Sequence, residues 1–367
     1  MSTRNHKFTL KDKFYMEIAL DLARSRHGLT GSNPSVGCVI VKNDKIISIG
    51  QTSFNGRPHA EFNAIKNSFE ELEGSKMYVT LEPCCHHGLT PPCTKIIIKS
   101  KISEVIYAVT DIDKRVRNKS FKILKSKKII VKKGLLKKKV ENFYYPYFFN
   151  REKKLPYVTG KIAISKNKII YSKYQKKITN VYSDQFTHLL RYQNDGLMIT
   201  YKTLNKDNPR LNCRLKGVKN FSPKRIILDN NLNTKINSYI IKSSYNKNTL
   251  MFYNKADKSK ISKFKRKGVI LIKSKVYRDN RFDFKEILKT LYNFGCRNLL
   301  IEGGNDLTNS LIKNKIFNKF YLFKSSKNLS KSSEYLKFSG LNTLNQKYQT
   351  KINLNLNLRK DRITLYR

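Results

Sequence analysis

Leu81 to Cys93 reads LEPCCHHGLTPPC, which places three cysteines and two histidines within thirteen residues. Such a cluster can supply disulfide halves, metal ligands or a nucleophilic thiol. The chain holds only six cysteines in 367 residues, too few for a disulfide scaffold of that length. The opening residues MSTRNHKFTLKDKFYMEIAL break every apolar run with charge, and no segment approaches the ~18 apolar residues of a membrane span. A soluble, cytoplasmic protein with no membrane partner is therefore expected. In that reducing compartment metal ligation or catalysis outranks disulfide formation as the use of the cluster.

Outward from the cluster, the pattern alternates between strands and helices. MYVTL (77–81) reads as a buried strand feeding the cluster, TKIIIKS (94–100) as a helix and VIYAVT (105–110) as a further strand. On the N-terminal side, Thr9 can cap a helix whose apolar positions Leu10, Phe14, Ile18 and Leu22 recur at helical spacing. VGCVIV (36–41) and KIISIG (45–50) flank the turn signal Asn43-Asp44 and read as a hairpin. PHAEFNAIKNSF begins a second helix, with proline at its first position. This α-β-β-α-β-α-β run predicts a three-layer α/β domain. At 142–157 aromatics, charges and two prolines replace the pattern, which suggests a hinge and a domain boundary near residue 150. Beyond it, strand-like runs alternate with helical patterns at 183–194, 282–294 and 305–317, so 151–367 is expected to be a second α/β domain.

PHAE sets His59 and Glu61 in the first turn of a helix, and the cluster sets Cys84 just after a strand, where another helix can start. Imidazole and thiolate are zinc ligands, and three protein ligands leave a fourth position open for water, the mark of a catalytic site. His59, Cys84 and Cys93 are the three candidate ligands, and Glu61 remains free to carry protons. Zinc nucleobase deaminases share the H-x-E and P-C-x-x-C arrangement. Here the next cysteine after Cys84 is Cys85, too close to chelate comfortably with its neighbour, or Cys93. His86 and His87 are expected to shape the loop or line a pocket, and Cys38, Cys213 and Cys296 to pack in cores.

HAE, VTLEPC and HHGLTPPC together resemble the deaminase half of the bifunctional riboflavin-biosynthesis deaminase-reductases. The resemblance implies a cytidine-deaminase-like N-terminal domain (1–150), and an eight-residue insert between the two cysteine ligands. It also implies serine at the position of Cys85, and a base-contacting role for Asn33 in NPSVGCVIV. In the family a loop with proline and glycines follows the next strand and helps hold substrate. This chain has DIDKRVRNKSF (111–121), which keeps Asp111 and Val116 and lacks the proline and the glycines.

The same resemblance extends to the second half, for which it implies a dihydrofolate-reductase-like domain (151–367) that uses NADPH. LLRYQNDGLMITYKTLNKDNPRLNCR carries Arg191, Leu211 and Arg214 where the family contacts substrate, and Thr203 and Asp207 where it contacts the dinucleotide. Arginine suits the phosphate of a ribose phosphate, since its fork matches phosphate oxygens. NLLIEGGNDL (298–307) reads as strand, paired-glycine turn and helix start, a shape that lets backbone amides approach a phosphate. In the family register Glu302 meets substrate, while Gly304, Asn305, Asp306 and Leu307 wrap the cofactor. PYVTGKIAIS (156–165) matches the first reductase strand, with Ala163 against the cofactor. After Ser165 the family's Leu-Asp-Gly and Ser-Gly-Glu-Ser-x-Trp elements are replaced by KNKIIYSKYQKKIT, with Lys177 in the tryptophan's place. The Ala-Pro strand end expected after FYLFKS is also absent, and the chain has no Trp.

The implied activity is zinc-dependent deamination of a ribosylaminopyrimidinone phosphate, followed by NADPH-dependent reduction of its ribosyl to a ribityl chain. The alternatives are a deaminase with a scaffold-like C-terminal domain, a nucleic-acid base deaminase, and a binding module with a structural zinc. The last would recruit a fourth ligand such as Cys85 or His86. With 75 Lys+Arg against 26 Asp+Glu, the net charge of +49 favours polyanions. The 57 Lys and 18 Arg are scattered through every segment, however, which does not mark a specific nucleic-acid face, and the resemblance implies a small phosphorylated pyrimidine as the partner. The sequence leaves room for a homo-oligomer.

Overall fold

The computed structural model describes residues 7–175, 177–331 and 334–367, and the chain divides into two compact units, Met1–Lys154 and Leu155–Arg367. Residues 1–6, at the start of the stretch read above for a signal peptide, lie outside the described residues, as do 176, 332 and 333. Among the described residues, no helix is long and apolar enough to cross a membrane.

The first unit runs α1 (Leu10–Ser25), β1 (Gly37–Lys42), β2 (Lys45–Gln51), α2 (Ala60–Lys66), β3 (Lys76–Leu81), α3 (Cys93–Lys99), β4 (Glu104–Val109), α4 (Lys119–Ser126), β5 (Ile130–Lys133) and α5 (Lys137–Lys153). Its sheet has the order β2-β1-β3-β4-β5, antiparallel at β2-β1-β3 and parallel from β3 to β5. Asn43 and Asp44 both take positive φ at the β1-β2 turn, as a tight two-residue hairpin requires. Two glycines fix the layers. A Cβ at Gly37 would lie 1.8 Å from the Ala19 carbonyl oxygen of α1, and one at Gly50 would lie 2.2 Å from that of Ala60 in α2. Gly50 pairs with Cys38, the residue after Gly37, so the two glycines face opposite sides of the sheet. Hence α1 and α2 cover opposite faces and make the three layers.

Three sequence expectations change. Thr9 caps α1 through a capping box with Asp12, but the helix buries Tyr15, Met16, Ala19, Leu20 and Ala23. Leu10 and Phe14 of the predicted stripe are 82% and 60% exposed. Small residues let α1 approach the sheet at Gly37, and this outweighs the larger apolar stripe. Helix α2 begins at Ala60 with His59 as its N-cap, so Pro58 precedes the helix rather than opening it. The segment expected to be a hinge is most of α5, which carries Pro146 inside it. Its aromatics bind it to the unit: Tyr144 is buried and its hydroxyl meets Thr80 and the Ser35 carbonyl, while Phe143, Tyr147 and Phe148 pack on the same core.

The second unit runs β6 (Tyr157–Ile164), β7 (Ile169–Ser172), α6 (Val181–Tyr192), β8 (Gly196–Thr200), α7 (Tyr201–Asp207), β9 (Lys224–Leu228), α8 (Tyr239–Lys242), β10 (Thr249–Tyr253), α9 (Lys258–Arg266), β11 (Ile270–Lys273) and α10 (Phe284–Asn293). It continues with β12 (Asn298–Ile301), α11 (Asn305–Lys313), β13 (Lys319–Lys324), β14 (Tyr335–Lys337), α12 (Leu341–Lys347), β15 (Lys351–Asn353) and β16 (Arg362–Tyr366). Nine strands form one sheet in the order β11-β10-β9-β8-β12-β6-β13-β16-β15, parallel from β11 to β13 and closed by antiparallel β16 and β15. Period-two alternation builds a core on each face. Met198, Ile226, Leu250, Leu299 and Ile301 join one core, and Leu197, Ile199, Ile227, Met251 and Leu300 join the other.

Candidate functional sites

In the first unit, His59 stands at the N-cap of α2, Cys84 follows β3, and Cys93 is the first residue of α3. The helix expected near Cys84 thus starts at the second cysteine. The loop between them lets both thiols converge on the histidine. His59 Nδ1 lies 3.5 Å from Cys84 Sγ and 3.4 Å from Cys93 Sγ, and all three ligand atoms are within 4.8 Å of one another. A tetrahedral zinc with bonds of about 2.3 Å to sulfur and 2.0 Å to nitrogen demands N···S edges of roughly 3.5 Å, so the donor set fits zinc. Among the described residues this is the one His/Cys/Asp/Glu group so placed. No fourth side chain joins it: the Cys85 thiol turns away and donates to the Arg115 carbonyl at 3.4 Å.

The electrostatics suit a cation. Hydrogen bonding with Cys93 and with His59 outweighs burial and brings the Cys84 thiol down to about 4. Such a thiol is a thiolate at neutral pH, the ligating form, whereas a hydrogen bond to Cys84 and burial push the Cys93 thiol up, so Cys93 must lose its proton when a cation binds. Burial raises the Glu61 carboxyl above its usual range, against the pull of His59. Glu61 is only 4% exposed and sits in the first turn of α2. Arg57 Nη1 meets Thr90 Oγ1 at 2.6 Å and His59 Nε2 at 3.3 Å, tying the inter-cysteine loop to the histidine. Asn33 donates to the Gly56 carbonyl at 3.1 Å, which holds it to the segment leading into His59.

In the second unit, the carboxyl ends of the adjacent strands β8, β12 and β6 open onto a cavity of about 1130 Å³, somewhat larger than the roughly 300–1,000 Å³ usual for small-ligand sites. Ala163, Arg191, Thr203, Asp207, Leu211, Glu302, Gly304, Asn305, Asp306 and Leu307 all line it. Arg214, expected to contact substrate, is absent from the lining; its guanidinium turns to Asn212 Oδ1 at 3.0 Å. Arg191 and Glu302 form a two-pronged pair, with Nε to Oε1 and Nη2 to Oε2 both 2.8 Å. Burial opposes the Glu302 charge, yet the arginine overrides it and holds the carboxyl at about 2. Leu211 adopts φ 49°, a turn that brings Asn212 back so that its carbonyl accepts from Arg191.

The glycine turn before α11 fits a dinucleotide phosphate. Gly304 is the N-cap and offers no side-chain cap, so the first amides of the helix face the cavity without a competing group. A Cβ at Gly303 would lie 3.0 Å from Thr308 Oγ1 and 3.2 Å from Leu307 Cδ2, so the tight turn favours glycine. Lys177, in the tryptophan's place, lines the cavity and pairs with Asp184 at 3.1 Å. Sequence reasoning missed Lys161, which lines the cavity beside Glu302 and whose ammonium burial pushes below its usual range. Its signal was a lone charge inside the otherwise apolar strand YVTGKIAI.

Known families cover both units. The cytidine and deoxycytidylate deaminase zinc-binding region matches residues 9–109, and the RibD C-terminal domain matches residues 157–358. The chain is 34% identical to the riboflavin biosynthesis protein RibD of Actinobacillus pleuropneumoniae over 317 residues, covering 86% of this chain and 84% of that one. Its fold is similar to that of the Acinetobacter baumannii RibD, with a TM-score of 0.83 at 25% identity, covering 97% of this chain and 98% of that chain. A diaminohydroxyphosphoribosylaminopyrimidine deaminase/5-amino-6-(5-phosphoribosylamino)uracil reductase from Thermotoga maritima is similar with a TM-score of 0.82 at 26% identity, over the same shares.

Proposed function

The chain belongs to the RibD family of bifunctional riboflavin-biosynthesis deaminase-reductases, and from that membership we propose how its residues divide the two reactions. Met1–Lys154 carries the deaminase and Leu155–Arg367 the reductase. The substrate is 2,5-diamino-6-(ribosylamino)pyrimidinone 5′-phosphate, whose anionic phosphate also suits a chain of net charge +49.

In the first reaction His59, Cys84 and Cys93 hold zinc. When bound, zinc supplies the Lewis acidity that makes water nucleophilic at neutral pH. Glu61 takes up a proton from that water and delivers it to the departing amino nitrogen, a task suited to a carboxyl whose burial raises its proton affinity. Asn33 orients the base, held in place through Gly56.

In the second reaction Thr203, Asp207, Ala163 and the segment from Gly304 to Leu307 hold NADPH. When bound, NADPH supplies the hydride that converts the ribosyl C1′ to the ribityl chain. Arg191, oriented by its pair with Glu302, faces the sugar phosphate of the substrate, Glu302 meets an uncharged part of it, and Leu211 closes the wall beside them.

The observation that carries the reading is the convergence of one imidazole and two thiols on a single point beside a buried, unligating carboxylate. Replacing Glu61 tests it. Glu61→Gln is expected to retain zinc and to lose about 10²–10⁴-fold in ammonia release, the range that one proton-transfer group contributes. Undiminished ammonia release would overturn the assignment of Glu61 as the proton carrier.

A further inference from the structure

Glu82 is a buried carboxylate that neither reaction uses. It follows β3 two residues before Cys84, is only 3% exposed and lies outside the metal triad. It accepts three hydrogen bonds: from the Ser120 hydroxyl at 2.5 Å, the Asn118 amide at 3.1 Å and the Asp111 amide at 3.3 Å. These donors come from both ends of the segment that leaves β4, the parallel neighbour of β3. The middle of the same segment touches the loop between the two ligand cysteines, where the Arg115 carbonyl accepts from Cys85, the neighbour of Cys84. Asp111 in turn accepts from the Asp113 amide at 3.0 Å and the Tyr147 hydroxyl at 3.4 Å.

The loop sets its middle through Asp113, which accepts from the Arg115 amide at 3.0 Å and pairs with its guanidinium at 2.6 Å. It has no proline or glycine from 111 to 120, and Asn118 must adopt φ 57°, a conformation that costs most side chains about 1 kcal/mol or more. The Asn118 amide that this conformation presents is one of the three donors to Glu82. The turn is shaped locally at Asp113, and Glu82 ties its two ends, Asp111 and Asn118, to the end of β3.

We infer that Glu82 is a positioning residue of the deaminase site, holding residues 111–118 in the shape that receives substrate while touching neither substrate nor zinc. The inference rests on the deaminase assignment above. In Glu82→Gln the amide keeps its oxygen toward the Asn118 and Asp111 amides and turns its NH2 to the Ser120 oxygen, so the two backbone bonds lose their charge assistance and the loop loosens while the metal ligands stay in place.

The test measures ammonia release, zinc content and amide exchange on the full-length chain. Glu82→Gln is expected to raise KM about tenfold with kcat changed by less than about threefold and zinc retained. The amides of Asp111 and Asn118 are expected to exchange faster. Ser120→Ala, which removes a single donor, is expected to give a smaller rise of the same kind. An unchanged KM in Glu82→Gln, or a fall in kcat with KM unchanged, overturns the inference. If Glu82→Gln yields no soluble protein, Ser120→Ala decides alone, and an unchanged KM there has the same meaning. A wild-type chain that releases no ammonia removes the deaminase assignment and the inference with it.

Discussion

The metal triad of the first unit and the cavity of the second are built in opposite ways. The triad is three ligand atoms within 4.8 Å, drawn from two helix starts and a strand end, and it offers no substitute if one is lost. The cavity spans about 1130 Å³ and is walled by residues scattered from Lys161 to Leu336, many of them contributing a backbone group or a patch of apolar surface. A site of the first kind tolerates no drift in its ligands. A site of the second kind can exchange a wall residue and keep its charged anchors. The difference predicts that perturbations of the triad act all or none, whereas those of the cavity are graded.

Removing zinc with a chelator should have the largest effect. Ammonia release is expected to vanish and return on adding zinc back, while NADPH oxidation with the deaminated substrate stays as it was. Joint loss of both activities would break the contrast. Arg191→Ala comes next, since it removes an anion-gripping side chain and leaves Glu302 as a buried charge without its partner. A fall of about 10²-fold in reductase kcat/KM is expected, with deamination unaffected; equal damage to both activities would show that the units are not independent.

The Arg191–Glu302 pair also carries a pH signature. Glu302 is held at about 2, below its ordinary value, so its contribution to stability is full above the ordinary carboxylate range and is lost as pH falls toward 2. Followed by circular dichroism, Glu302→Gln should have a flatter stability profile between about pH 5 and 2, by about 1–2 kcal/mol. An unchanged profile would mean that the pair is not formed. The smallest effect is expected from Cys85→Ser. Its thiol meets only the Arg115 carbonyl, so zinc content should not change and ammonia release should stay within about twofold. Loss of zinc would make Cys85 a ligand and the site structural.

The same contrast decides what could be read from the chain alone. The ligands of the triad are named by residue type and short spacing, so PHAE and the cysteine cluster pointed to His59, Glu61, Cys84 and Cys93 before any coordinates. The parallel strands β6 and β8 to β13 were legible because their runs are mostly apolar, whereas β7, β14, β15 and β16 were not, two of them being exposed throughout. Lys161 was not, because a single lysine in a strand declares neither its direction nor its neighbours. Arg214 occupied the expected register, yet only the path of the chain after Leu211 turns it toward Asn212. The end of the first unit misled for a related reason. Aromatics and prolines at 142–157 looked like a breaker, but packing of Tyr144 against Ser35 and Thr80 outweighs the helix cost of Pro146. Glu82 stood in plain view within the motif, and only the folded loop reveals its three donors.

The central claim is that one chain performs both reactions, and the most direct measurement follows ammonia release and NADPH oxidation together from the diaminopyrimidine phosphate. The account predicts one NADPH oxidised for each ammonia released, after a lag while the deaminated intermediate accumulates. Ammonia released in full with no NADPH consumed would contradict it, and would reduce the second unit to a scaffold.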